Sequence, residues 1–172
     1  MASRLIDFYL NQKPDAAGRS IAEIWTWNET QLENCHDYIQ WLFPLPEASA
    51  FNSNAPRLTP TDIETFGSSS ELKNRLLQSL KLMLNFYGLQ LQETPLEITQ
   101  SENFAQRAAN WLDRGNHNHL RLTRILRSLM LLGLGELAQA LFDCLSQIHQ
   151  AHPQQISDRS FAFWQAAVRE TD

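Results

Sequence analysis

Apolar positions recur along most of this chain at intervals of three and four residues, the spacing that places side chains on one face of an α-helix. The clearest organising stretch reads NETQLENCHDYIQWLFPLPE, residues 28–47. Within it Leu32, Cys35, His36, Ile39, Leu42 and Phe43 fall on one stripe. Asn28 and Gln31 stand three apart, as in a capping box, so the pattern predicts one helix over 28–43. Pro44 ends it, because proline lacks an N–H and clashes with the preceding turn. Trp41 points about 180° from Leu32, with Tyr38 between them, so this helix is apolar on two sides and is expected to lie centrally.

The remaining chain follows the same rule. Short helices are expected over 3–10 and 21–27, joined by a turn at Pro14, Asp15 and Gly18. Residues 44–60 hold four prolines and form one long loop, expected to be held down by Phe51 and Leu58. Thr59, Pro60 and Asp62 start a helix ending at Gly67. Ser68 and Glu71 open the strongest helix, with Leu72, Leu76, Leu80, Met83 and Tyr87 on one stripe and Gly88 as its stop. Residues 89–98 read as a connection, in part extended. Four more helices follow, facing inward through Phe104, Ala108 and Trp111, then Leu122 to Leu132, then Leu137 to Ile148, then Phe161, Trp164 and Val168. Asn118 and Ser157 are expected caps. With no hairpin signal, repeat or low-complexity tract, the expectation is an all-α, single-domain bundle over 1–172, of seven to nine helices.

Composition changes this picture little. Hydrophobic residues make up 43% of 172, enough for a real core. A net charge of −5 argues against nucleic-acid binding through bulk charge. The two cysteines, Cys35 and Cys144, read as reduced core residues. The opening MASRLIDFYL carries Arg4 and Asp7 and does not resemble a signal peptide, and no apolar run spans a membrane. A cytoplasmic, soluble protein is expected.

Chemistry has few candidates. His117, Asn118, Arg121 and Arg124, with Arg127 beyond, gather at the start of one helix, where free N–H groups and guanidinium forks suit a phosphate or carboxylate. The plainer reading pairs these arginines with acidic neighbours. His36 reads as a core histidine bonded to a backbone carbonyl. Trp41 reads as packing beneath the PLPE loop, or else as a stacking face for a ligand. The pairs His117/His119 and His149/His152 lack further ligands at metal spacing. No glycine-rich phosphate loop, nucleophile elbow, HExxH or CxxC is present, and no cofactor is implied.

Several blocks in register resemble the conserved region of the opioid growth factor receptor family. They are LENCHDYIQWLFPLPE, NAPRLT, MLNFYGLQL, HNHLRLTRILRSLMLLGL and SFAFWQAAVR, with PDAAGR and IWTW resembling its bacterial members. The likeness runs over about residues 5–170 and marks His36, Tyr38, Gln40, Trp41, His117, Asn118, Arg121 and Arg124. It implies a stand-alone, bacterial-type member lacking the long tails and repeats of the animal proteins, which are described as receptors for an enkephalin peptide. The resulting expectation is a non-enzymatic binding domain for a peptide or small anionic ligand. The alternatives are an enzyme on a small anion using His36 or His117 as acid–base group, and a protein-interaction module.

Overall fold

The stripe over 28–43 forms two helices, not one. The computed structural model describes residues 2–169. In it α3 is Glu29–Asn34 and α4 is Ile39–Leu42, separated where Cys35 turns extended at φ −91°, ψ 131°. The capping box of Asn28 with Gln31 is present, and α4 ends before Pro44 as its geometry requires. In an unbroken helix the Leu32 carbonyl would accept from the N–H four residues on; here the Tyr38 hydroxyl donates to it at 2.8 Å. The break therefore satisfies one of the carbonyls it exposes.

By contact the chain divides into two compact units, Met1–Ser79 and Leu80–Asp172. The first holds α1 (Arg4–Tyr9), α2 (Ile21–Trp25), α3, α4, α5 (Pro60–Ser68) and the start of α6 (Ser70–Tyr87). Its core is aromatic. Phe8 meets Trp41 at 5.1 Å between ring centroids, and Tyr9 meets Phe66 at 5.1 Å. The buried Tyr9 hydroxyl donates to the Leu42 carbonyl and stands 3.0 Å from Ser79 Oγ, so a polar atom in this core has partners. Helix starts follow local chemistry. Thr59 and Asp62 form a second capping box with Pro60 at the first position. Ser69, rather than Ser68, accepts from the Leu72 N–H at the start of α6.

The second unit takes the rest of α6, then β1 (Leu89–Glu93), β2 (Leu96–Gln100), α7 (Phe104–Ala108), α8 (Asn118–Leu131), α9 (Gly135–Ala151) and α10 (Asp158–Ala167). Helix α8 packs on α9 and α10, and β2 packs on α9. The expected all-α bundle of seven to nine helices is thus corrected: the described residues form ten helices and a two-stranded antiparallel sheet. Strands β1 and β2 pair from Leu89↔Gln100 to Glu93↔Leu96. Leu89, Leu91 and Ile98 share the face toward the protein, at a period of two. Gln, Glu and a Thr-Pro turn concealed that period, since none is a strand or tight-hairpin former by preference.

Gly88 joins α6 to this hairpin at φ +79°, and a Cβ there would lie 2.8 Å from the Phe104 Cα. Glycine is required by conformation and by space. No helix among the described residues is long and apolar enough to cross a membrane.

Candidate functional site

A closely bonded polar constellation begins in the turn PDAAGR. One carboxylate oxygen of Asp15 accepts from the backbone N–H groups of Ala17 and Arg19, each at 2.9 Å, which closes the loop. The other accepts from Arg19 Nε at 2.8 Å and Arg19 Nη2 at 2.7 Å, a two-pronged pair. Asp15 has no side-chain exposure and Arg19 only 15%. Arg19 Nη1 then crosses to α3's end, donating to Asp37 at 2.8 Å and to Cys35 Sγ at 3.0 Å. Its guanidinium lies 5.3 Å from the Trp27 ring. One arginine thus clasps the segment that interrupts the predicted helix, which is the physical reason for the break.

The electrostatics agree with this geometry. Burial works against the Arg19 charge, but bonds to Asp15 and Asp37 outweigh it and raise its pKa. Burial likewise opposes the Asp37 charge; the hydrogen bonds from Cys35 and Arg19 prevail and hold its carboxyl below the usual range. Cys35 is pushed up, first by burial and then by its bond to Asp37. Its S–H donates to Asp37 at 3.2 Å, so it serves as a thiol and not as a thiolate nucleophile.

Beside this clasp lies a small depression of about 80 Å³, lined by Arg19, Asp37, Trp41, Asn52 and Asn54 with Ala16 and Ala17. The asparagines come from the long loop. Its base is closed by a bridge between Leu45 and Arg57, a bond from the Leu58 N–H to the Leu45 carbonyl at 2.9 Å, and one from Arg57 Nε to the Pro46 carbonyl at 3.1 Å. Asn52 Oδ1 accepts from the Asn54 N–H at 3.1 Å. Leu58 is buried as expected, whereas Phe51, expected to hold the loop down, is 89% exposed.

Of the residues marked by sequence, Trp41 alone lines this depression. It is 1% exposed, and Phe8 and Arg4 lie against its ring, Arg4 at 5.3 Å. Its role here is a wall. Tyr38 and Gln40 are buried behind the surface. His36, expected in the core, is exposed, because the break at Cys35 takes it off the stripe.

The other marked residues belong to the second unit. His117 is exposed at the start of α8, and Arg124 is half-buried. Asn118 is fully buried, its Oδ1 3.4 Å from both Tyr87 Oη and Arg121 Nη1. Arg121 is 6% exposed. The structure thus brings Asn118 and Arg121 together and leaves His117 outside.

The buried histidine is one that sequence reasoning passed over. His119 is 3% exposed, between the rings of Trp111 at 6.2 Å and Trp164 at 5.7 Å. Its Nε2–H donates to the Trp111 carbonyl at 2.9 Å, and Trp164 Nε1 donates to the His119 backbone carbonyl at 2.9 Å. Burial lowers its pKa. The signal available was its place: it stands one residue from Asn118 on the inner side of α8. Arg19, Asp37, Asn52 and Asn54 were missed too. Arg19 had a signal, Asp15 four residues before it across Gly18, but no sequence rule joins that pair to residue 37.

Among the described residues no group of three His, Cys, Asp or Glu side chains is arranged to hold a metal ion. The acid–base alternative needed a histidine lining a cavity; His36 and His117 are exposed, and the depression has no histidine.

The model of the opioid growth factor receptor (OGFr) conserved region matches residues 2–172. This chain belongs to that family. It is 45% identical to the mouse opioid growth factor receptor over 115 residues, covering 66% of this chain and 18% of that protein. It is 44% identical to the human one over 115 residues, with 66% and 17% covered. Opioid growth factor receptor-like protein 1 of Xenopus tropicalis is 40% identical over 132 residues, 73% of this chain and 25% of that one. The OGFr-family chain therefore spans a quarter or less of the length of these relatives. No solved structure matches it.

Proposed function

We propose that this OGFr-family chain is a non-catalytic binding domain whose ligand is a peptide, seated at the depression beside Arg19 and Trp41. The names of the relatives support a receptor role for an opioid growth factor in those proteins. The observation that carries the proposal here is the placing of hydrogen-bonding side chains from two separate segments around one concavity: Asp37 from the α3–α4 break, Asn52 and Asn54 from the loop. Asparagine amides both donate and accept, as a peptide backbone does. Trp41 and, behind it, Tyr38 supply a rigid wall.

An anionic ligand at His117, Asn118, Arg121 and Arg124 is the second reading, favoured by the Arg121–Asn118 contact. It requires an anion to reach an arginine that is 6% exposed.

Thermal shift against peptides, nucleotides, phosphosugars and carboxylates separates the two. A ligand at 100 times its Kd adds about 2.7 kcal/mol, on the order of 5 to 10 °C for a chain of this size. A peptide hit that Asn54→Ala removes and Arg121→Ala keeps is the expected result. A phosphate or carboxylate hit that Arg121→Ala removes would move the site to α8. Peptides that leave the melting temperature unchanged would end the peptide reading.

A further inference from the structure

We infer that the depression at Asp37, Asn52 and Asn54 receives a primary ammonium group, the free amino terminus of a peptide or the tip of a lysine. This inference rests on the peptide reading above and assigns the end of the ligand that enters.

The arginine in the wall suggests an anion at first sight, but each of its three nitrogens already has a partner. Nε and Nη2 are on Asp15, and Nη1 is on Asp37 and Cys35. An incoming carboxylate or phosphate would have to break a buried, two-pronged pair to reach them. The clasp also sets two carboxylates against one guanidinium, leaving one negative charge in excess. That excess sits at the accessible end: Asp15 has no side-chain exposure, whereas the Asp37 side chain is 48% exposed and lines the depression. Only one of its oxygens, Oδ1, carries the Arg19 and Cys35 bonds.

The rest of the lining suits the same guest. The asparagine side-chain carbonyls are acceptors, and an ammonium brings three donors and no acceptor. Arg4 lies on the Trp41 ring, but it is exposed, outside the lining, and its charge is screened by solvent. Trp41, the aromatic residue in the lining, is only 1% exposed and offers no open face for stacking, so the lining presents mainly polar groups. A volume near 80 Å³ is room enough for an ammonium and the few heavy atoms beside it.

The test is an NMR titration of the ¹⁵N-labelled full chain, reading the side-chain amides of Asn52 and Asn54. The probes are methylammonium, triglycine amide, N-acetyl-triglycine amide, N-acetyl-lysine methylamide and inorganic phosphate. Methylammonium and triglycine amide should shift these signals, and the N-acetylated triglycine and phosphate should not. Binding of the lysine derivative would extend the guest to lysine side chains; its failure beside a triglycine success would assign the amino terminus. Asp37→Asn should weaken the amines by about tenfold or more. Because Asp37→Asn also loosens the Arg19 clasp, Asn54→Ala is the second variant, expected to weaken them about threefold without touching that clasp.

Equal binding of acetylated and free triglycine would overturn the ammonium assignment and leave the peptide reading standing. Methylammonium binding without triglycine binding would do the reverse. Preference for phosphate, or silence from both amines, would overturn the inference.

Discussion

The His119 ring cannot take a second proton without cost. Its Nε2–H is committed to the Trp111 carbonyl, and Nδ1 has no hydrogen-bond partner among the described residues. A proton on Nδ1 would be a buried donor beside two indole rings. Burial accordingly lowers the folded pKa from the ordinary 6.5. The unfolded chain then binds the proton more readily. Stability is therefore full above about pH 6.5 and falls as pH drops from there toward the folded pKa, by at most about 1.4 kcal/mol per pH unit. Urea midpoints at pH 7.5 and 5.5 should drop more in the natural chain than in His119→Gln, which cannot titrate. Parallel drops would show that His119 does not carry the effect. The same residue shows what a periodic pattern reads well and badly. Periodicity placed Leu122, Ile125 and Leu129 inside correctly, because apolar side chains follow the wheel. It could not rank His36 against His119. Which histidine is buried depends on a clasp formed by Arg19 and on a groove between two tryptophans, and these partners lie 17 and, for Trp164, 45 residues away in sequence.

Most element starts and stops were legible where the determinants are local, although Asn118, expected as a cap, is the first residue of α8 itself. Asn28, Thr59, Ser157 and Gly88 each act within a turn of their own position, and each performs the expected role. The elements that departed from expectation answer to distant partners. The helix over 28–43 is divided by an arginine at 19, and the hairpin over 89–100 is decided by Ile98 and Leu89 packing inward. Gly88 is where local and distant demands meet. Gly88→Ala forces a left-handed backbone, about 1 to 2 kcal/mol, and drives a methyl against Phe104. Gly18 has φ +84° and nothing within 4 Å, so Gly18→Ala incurs the backbone cost alone. In paired denaturation experiments Gly88→Ala should lose at least about 1 kcal/mol more than Gly18→Ala. Equal losses would mean that α6 and α7 adjust freely at this junction.

At the scale of the molecule, family membership was readable from blocks spread along nearly the whole sequence, and the comparisons bear it out. The candidate site was not readable in the same way. It joins positions 16, 17, 19, 37, 41, 52 and 54, and a depression has no sequence periodicity. Only Trp41 carried a signal, as a large aromatic opposite an apolar stripe. Side-chain bonds from one end of the first unit's sequence to the other hold it together: Ser3 to Asp62 at 2.6 Å, Trp25 to Ser79 at 3.0 Å, and the Tyr9–Phe66 ring contact. Set against this is Phe51, exposed at the far point of a loop whose base is closed by Leu45, Arg57 and Leu58. An aromatic residue so placed is a cleavage site for a chymotrypsin-like protease. Brief digestion should cut after Phe51 first. The outcome should be two bands on a denaturing gel and one unchanged peak in size exclusion, since the bonds just named cross the cut. The loop then offers a point at which this protein can be nicked into complementary fragments that stay folded together.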